Sequence, residues 1–217
     1  TLTCSVSASD DDGDTPTATY AWTDGSGSSL GTGASLTLTS STASPDDEIT
    51  CTATVTDADE GSDSDSDSVT VSNRAPTVSA SISPSTSVTT STTLTCSGSA
   101  SDEDGGTPTV SYAWTNVSEG TSLGTGASVT LTTSTSSPGD TIRCTTTATD
   151  TDGGTGSDAA TVEVGNTGPS IASVSISPTT AYNDSTLTCS ATATDADGDT
   201  PTLTYAWRNE SEGTILG

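Results

Sequence analysis

The chain has 217 residues, with 29 Asp and Glu against three Arg, no Lys and no His, giving a formal net charge of -26. Leu, Ile and Val together number 28, about 13% of the chain, while Ser and Thr number 89. Composition alone therefore describes a solvated acidic tract. The same counts leave almost no cations for nucleic-acid phosphates, no run of about 18 apolar residues to span a bilayer, and no histidine for a His-based triad or a His–zinc site. No secretory leader opens the stretch, so any export signal is expected outside it.

Period-2 alternation, apolar on one face with Ser and Thr between, predicts strands throughout. Leu2, Cys4, Val6 and Ala8 form the first set, followed by Ala18, Tyr20 and Trp22, then Ala34, Leu36 and Leu38. Ile49, Cys51, Ala53 and Val55 come next, then Val69 and Val71. The tract carrying Asp63, Asp65 and Asp67 is expected to be a solvated loop. A second series runs through Val78 and Ile82, Leu94 and Cys96, then Val110, Tyr112 and Trp114. It continues with Ala127, Val129 and Leu131, then Ile142, Cys144 and Ala148, and ends on Val162 and Val164. Thr at the outward positions favours strands further.

The alternation repeats. Trp22, Trp114 and Trp207 are spaced 92 and 93 residues apart, as are Cys4, Cys96 and Cys189, and Cys51 and Cys144 are 93 apart. This period is domain-sized. Residues 1–74 are expected to be a repeat lacking its first strand, 75–166 a complete repeat, and 167–217 the N-terminal part of a third. A window from a longer array explains this. The rival, subunits completed by strand exchange, is disfavoured because residues 186–217 duplicate the register of residues 1–32. Six or seven short strands per period, with Gly, Pro and Asp turns, predict an all-β fold of tandem antiparallel sandwiches. A Trp between two Cys in sequence has a natural place against a disulfide joining two sheets. The expected pairs are Cys4–Cys51 and Cys96–Cys144, with the partner of Cys189 beyond the segment. Free buried thiols are the alternative. Recurrence in register favours the bridges, which suit an oxidising, extracytoplasmic compartment. Trp22, Trp114, Trp207, Tyr20, Tyr112 and Tyr205 are assigned to cores.

Cys on an early strand, the Tyr-x-Trp of YAW and Cys on a late strand resemble immunoglobulin-like repeats of bacterial surface proteins. The SISP segments at 81–84 and 175–178, the D-x-D-G-x-T-P loops and the SPGD turn at 137–140 add to the likeness. Related PKD-type modules carry Trp-Asp-Phe-Gly-Asp, of which Trp22-Thr23-Asp24-Gly25 keeps part. The resemblance implies spacers, stalks, adhesion modules or filaments, and no catalysis.

Each repeat carries two acidic loops. The first holds Asp10, Asp12 and Asp14, then Asp102 and Asp104, then Asp195, Asp197 and Asp199; the second holds Asp57 and Asp59, then Asp150 and Asp152. In a sandwich both loops emerge at one pole, beside the incoming linker RAPT (74–77) or TGPS (167–170). Converging carboxylates predict Ca2+ at each junction. The bland alternative is that Asp and Gly merely make good, soluble turns. Asn116, Asn183 and Asn209 open Asn-x-Ser sequons, and Asn116 and Asn209 recur two residues after Trp. Runs such as Thr130, Thr132, Thr133, Ser134 and Thr135 are candidate O-glycan acceptors. Lys-free strands need sugars or loop charge to prevent edge-to-edge association.

The expected function is structural: an extracellular or cell-surface stalk, fibre or matrix filament. Its partners are other repeats of the same protein and covalent glycans, with no nucleic acid and no membrane span. The alternatives are an adhesin binding glycan or host protein, and a spacer within a secreted enzyme.

Overall fold

A computed structural model describes residues 1–11, 13 and 15–217. The described residues form an all-β chain without helix. The strands are β1 (Leu2–Thr3), β2 (Thr17–Asp24), β3 (Ser29–Thr32), β4 (Ser35–Leu36), β5 (Glu48–Thr56) and β6 (Ser62–Thr70). They continue with β7 (Thr77–Ser83), β8 (Thr93–Ser101), β9 (Thr109–Asn116), β10 (Thr121–Thr125), β11 (Ser128–Thr130), β12 (Thr141–Thr149) and β13 (Thr155–Glu163). The last are β14 (Ser170–Ser177), β15 (Thr188–Thr194), β16 (Arg208–Asn209) and β17 (Thr214–Ile215). Two four-stranded sheets share one order, β3-β2-β5-β6 and β10-β9-β12-β13. The remaining sheets are β1-β4, β11-β8-β7, β14-β15 and β16-β17. No helix among the described residues is long and apolar enough to cross a membrane.

Two compact units partition the chain. One comprises Thr1–Ser79, Gly98–Val110 and Thr147–Asp158; the other comprises Ala80–Ser97, Ser111–Thr146 and Ala159–Gly217.

In the first unit, β2 and β5 pair antiparallel from Thr17↔Thr56 to Asp24↔Ile49, which sets Trp22 opposite Cys51. Ile49, Cys51 and Ala53 on β5 are buried while Thr50, Thr52 and Thr54 between them are half-buried, the pattern a half-buried sheet demands. Trp22 and Ile49 anchor a small core completed by Leu2, Tyr20, Leu36 and Val71. Full burial of a residue such as Ile49 contributes roughly 1.5–3 kcal/mol. β1 is shorter than its alternation predicts. It ends at Thr3, before Val6 and Ala8, because β4, its partner among the described residues, is two residues long.

The acidic tract departs from expectation. Asp63, Asp65 and Asp67 are not in a loop but on β6, at the edge of the sheet. Pairing decides this over composition, because β6 runs against β5 in unbroken register from Thr56↔Ser62 to Glu48↔Thr70. Asp disfavours strands, yet that preference yields to context and edge position.

In the second unit, Leu94, Cys96, Trp114, Leu131, Ile142, Cys144 and Val164 form a more complete core, each at most 2% exposed. Ile82 and Val88 pack against it. Trp114 donates its indole Nε1–H to the carbonyl of Gly126 at 2.9 Å, as Trp22 does to Gly33 at 2.8 Å. Gly33 and Gly126 have φ of 101° and 105°, a conformation in which an L side chain is strained. Each also donates its own N–H back across the hairpin, to Tyr20 O and Tyr112 O. The glycine thus turns the chain and satisfies the buried indole. Tyr20 and Tyr112 are half-buried at the margins of their cores.

Later in this unit the expectation of core aromatics fails. Tyr205 is 48% exposed and Trp207 half-buried. Residues 201–207 form no strand among the described residues, whereas their counterparts in β2 and β9 lie beside β5 and β12.

Candidate functional site

Cys4 and Cys51 are disulfide-bonded, with Cα atoms 6.4 Å apart, and so are Cys96 and Cys144, at 6.3 Å. Cys4 lies just beyond β1 and Cys51 on β5, so the first bridge ties the sheet β1-β4 to β3-β2-β5-β6. Cys96 on β8 and Cys144 on β12 tie β11-β8-β7 to β10-β9-β12-β13. Cys189 on β15 is half-buried and has no disulfide partner. Two bridges suit an oxidising compartment.

The acidic loops do more than carry charge, because most of their first carboxylates accept hydrogen bonds at close range. Asp57 Oδ1 takes the N–H groups of Asp59 and Gly61 at 2.9 and 2.8 Å. Asp150 Oδ1 takes those of Asp152 and Gly154 at 2.9 and 2.7 Å. These are the same turn, 93 residues apart, in which an Asp side chain replaces a backbone acceptor. Asp102 Oδ1 likewise accepts from Asp104 N at 2.7 Å, and Asp195 Oδ1 from Asp197 N at 2.8 Å. Asp59, Asp152 and Asp199 are exposed, and Asp10 is half-buried. The expected Asp12 and Asp14 lie outside the described residues.

In two of these loops the second Asp, Asp104 or Asp197, reaches the chain entering its repeat. In the first unit, Asp104 Oδ2 accepts the backbone N–H of Arg74 at 2.5 Å. The Arg74 guanidinium pairs with Glu103 and lies 3.5 Å from Asp104 Oδ1. Next to it, Asn73 donates Nδ2–H to Asp150 Oδ2 at 3.1 Å. Burial pushes the Asp150 carboxyl up, but the Asn73 amide and the N–H groups of Gly154 and Asp152 together hold it below the ordinary value. A Cβ at Gly154 would overlap Asp150 Oδ2 and Asn73 Nδ2, so a side chain there would displace this bond.

In the second unit the same contact recurs. Asp197 Oδ2 accepts the backbone N–H of Thr167 at 2.5 Å, and Thr90 donates its hydroxyl to Asp197 Oδ1 at 2.8 Å. Asp197 is 9% exposed. The Thr167 N–H first, and the Thr90 hydroxyl second, hold its carboxyl below the ordinary range. Arg74 and Thr167, and Asp104 and Asp197, are each 93 residues apart. A carboxylate clasped on a linker N–H is therefore a repeated device. Charge-assisted bonds of this type are stronger than neutral ones. Chemically, the arrangement holds chain against chain. No group of three or more Asp, Glu or Cys side chains able to hold a metal ion forms among the described residues.

The sequon residues separate sharply. Asn116 is fully buried. Its Nδ2 donates to Thr135 O at 3.1 Å and to Asp140 Oδ2 at 2.7 Å, while its Oδ1 accepts from Glu119 N at 3.2 Å. An amide nitrogen so enclosed leaves no place for a sugar, so the folded chain does not fit the expected glycan at Asn116. Asn209 Oδ1 caps the same hairpin turn through Ser211 N at 3.1 Å. Asp24, at the equivalent place, caps through Ser26 and Ser28. Turn capping thus accounts for the recurrence at this position. Asn183 sits exposed in a turn.

Asp140 had no sequence signal beyond its turn motif. It is 7% exposed and also caps Ser137 N at 2.8 Å, as Asp47 caps Ser44 N. The burial of Asp140 is set by Asn116, which charge counting does not reveal. No protein-family model and no curated protein sequence matches the chain.

Proposed function

We propose that this chain is part of a non-catalytic structural protein built of tandem immunoglobulin-like sandwiches, working outside the cytoplasm as a stalk, surface fibre or matrix filament. The observation that carries this reading is the recurrence, 93 residues apart, of a carboxylate clasp on the linker: Arg74 N–H to Asp104, and Thr167 N–H to Asp197. A spacer must resist bending where its repeats meet, and a hydrogen-bonded linker supplies that resistance. The two disulfides support exposure to an oxidising medium. PKD-related surface repeats remain the family that the YAW and cysteine spacing favours.

Ca2+ belongs to this proposal at the first joint. Asn73 Oδ1 and Asp102 Oδ2 are buried there without a hydrogen-bond partner, and Ca2+ accepts both kinds of oxygen. Backbone carbonyls and water would have to complete its shell. Glycans belong to it through the exposed Ser and Thr faces and Asn183. An adhesin is the second reading, favoured by Tyr182, which is 76% exposed and is a side chain of the kind that anchors interfaces.

Small-angle scattering of the unaltered chain and an Asp104→Ala, Asp197→Ala variant tests the reading. A broader size distribution in the variant, with its strand content intact by circular dichroism, supports clasped joints. Identical profiles overturn them. Electron microscopy of native material then separates fibre from adhesin.

A further inference from the structure

The strand β6 has a peculiarity that its pairing does not explain. Its sequence is Ser-Asp-Ser-Asp-Ser-Asp-Ser-Val-Thr, and all nine residues are exposed. It lies at the edge of β3-β2-β5-β6, so one side of its backbone meets β5 and the other has no strand among the described residues. A free edge of this length presents a row of N–H and C=O groups that another chain can pair with.

Here three of the outward N–H groups are already engaged. Asp63 Oδ1 accepts the N–H of Ser64 at 2.8 Å, Asp65 that of Ser66 at 2.8 Å, and Asp67 that of Ser68 at 2.9 Å. The register places Asp63, Asp65 and Asp67 opposite Val55, Ala53 and Cys51. The three aspartates therefore sit on the sheet face that carries the buried Ala53 and Cys51, and each bends to cover the next residue's amide. The alternation is thus a requirement of geometry, since only every second N–H of an edge strand faces outward.

The counterpart strand β13 is treated differently. Residue 156, equivalent to Asp63, is glycine, and a Cβ there would overlap the carbonyl oxygen of Pro76 and press on Val78 Cγ2. At that end β13 is closely approached by another stretch of chain and cannot carry a side chain. Residue 158, equivalent to Asp65, is aspartate, while residue 160, equivalent to Asp67, is alanine. β13 is likewise the last strand of its sheet, but only β6 carries the full aspartate row, whose leading residue is incompatible with the close approach seen at Gly156.

We propose that Asp63, Asp65 and Asp67 are an edge guard, which stops β6 from pairing edge to edge with β6 of a second copy of this chain. The guard acts by engaging three of the outward N–H groups, those of Ser64, Ser66 and Ser68, and by placing three like charges along the edge. A two-fold β6–β6 contact would bring those charges together and would have to break three hydrogen bonds per chain. The guard supplies, for this strand, the protection that Lys gives many edges and that this Lys-free chain lacks.

The test is sedimentation velocity of the full chain over a wide concentration range. The variants replace all three residues, Asp63→Ser/Asp65→Ser/Asp67→Ser in one and Asp63→Asn/Asp65→Asn/Asp67→Asn in the other. Far-ultraviolet circular dichroism and Trp fluorescence check that both stay folded. The serine variant is expected to self-associate at least about tenfold more tightly than the unaltered chain, with Ser64, Ser66 and Ser68 amides slowed on association. A folded serine variant that stays monomeric overturns the proposal. The asparagine variant keeps an acceptor but no charge, and is expected to associate less than the serine variant. Equal association of the two overturns the hydrogen-bonding part and leaves charge alone.

Discussion

The backbone N–H of Thr167 donates to Asp197 Oδ2 at 2.5 Å, and Arg74 N–H makes the same 2.5 Å bond to Asp104 Oδ2 at the preceding linker. The main-chain N–H is the donor that the two linkers share, while their side chains differ, the Arg74 guanidinium pairing in addition with Glu103. The acceptor is in both cases a side-chain carboxylate, at 104 and 197, while the residues around it change.

The first expectation concerns acid. The hydrogen bonds from Thr167 and Thr90 lower the Asp197 carboxyl, so its ionised form is favoured by folding. Stability from this group is complete above the ordinary carboxylate pKa of about 3.9 and is lost as pH falls through the lower folded value. Thermal melting below about pH 4 should therefore weaken more steeply for the unaltered chain than for Asp197→Asn. Parallel pH profiles contradict the assignment.

The disulfides give the second. Each closes a loop of 47 or 48 residues, and constraint of the unfolded chain over that length is worth about 4 kcal/mol, model-dependent. Reduction, or Cys96→Ala with Cys144→Ala, should lower the denaturant midpoint by a corresponding amount without changing the strand content at low denaturant. A loss below about 1 kcal/mol would mean that the core around Trp114 holds the sheets alone.

Asn116 gives the third. Asn116→Ala removes a donor from the buried Asp140 carboxylate and should cost about 2–3 kcal/mol in urea unfolding. Peptide mapping of native material should find Asn116 unmodified, and any N-linked sugar at Asn183. A glycan at Asn116 contradicts the buried amide.

Gly126→Ala gives the fourth. A φ of 105° strains an alanine, and a shifted carbonyl would leave the Trp114 indole without its acceptor. A cost of about 1–3 kcal/mol is expected, read by chemical denaturation together with Trp fluorescence. Unchanged stability would show that the hairpin relaxes freely.

Much of the fold can be read from the sequence, for identifiable reasons. β5 and β12 alternate apolar and polar residues at period 2 because one face is buried, so Ile49, Cys51, Ile142 and Cys144 mark their own faces. The cysteine spacing carries the bridges for the same reason. Composition misleads where an edge overrides it. Asp63, Asp65 and Asp67 look solvated because Asp is poor in strands, but β5 supplies pairing and each Asp caps its neighbour. Asn116 looks like a surface acceptor because a sequon is defined by three residues, while its burial depends on Asp140 and Thr135, distant in sequence. The acidic loops show charge in sequence, but the matching donors are backbone N–H groups, which composition does not count.

The clasp is tested most directly by amide hydrogen exchange, measured residue by residue on the unaltered chain and on Asp104→Ala and Asp197→Ala. Arg74 and Thr167 amides should be protected in the unaltered chain. Each should lose protection in the variant lacking its own acceptor, with β5 and β12 unaffected. Unprotected exchange at both amides in the unaltered chain would contradict the clasp and, with it, the case for stiffened joints.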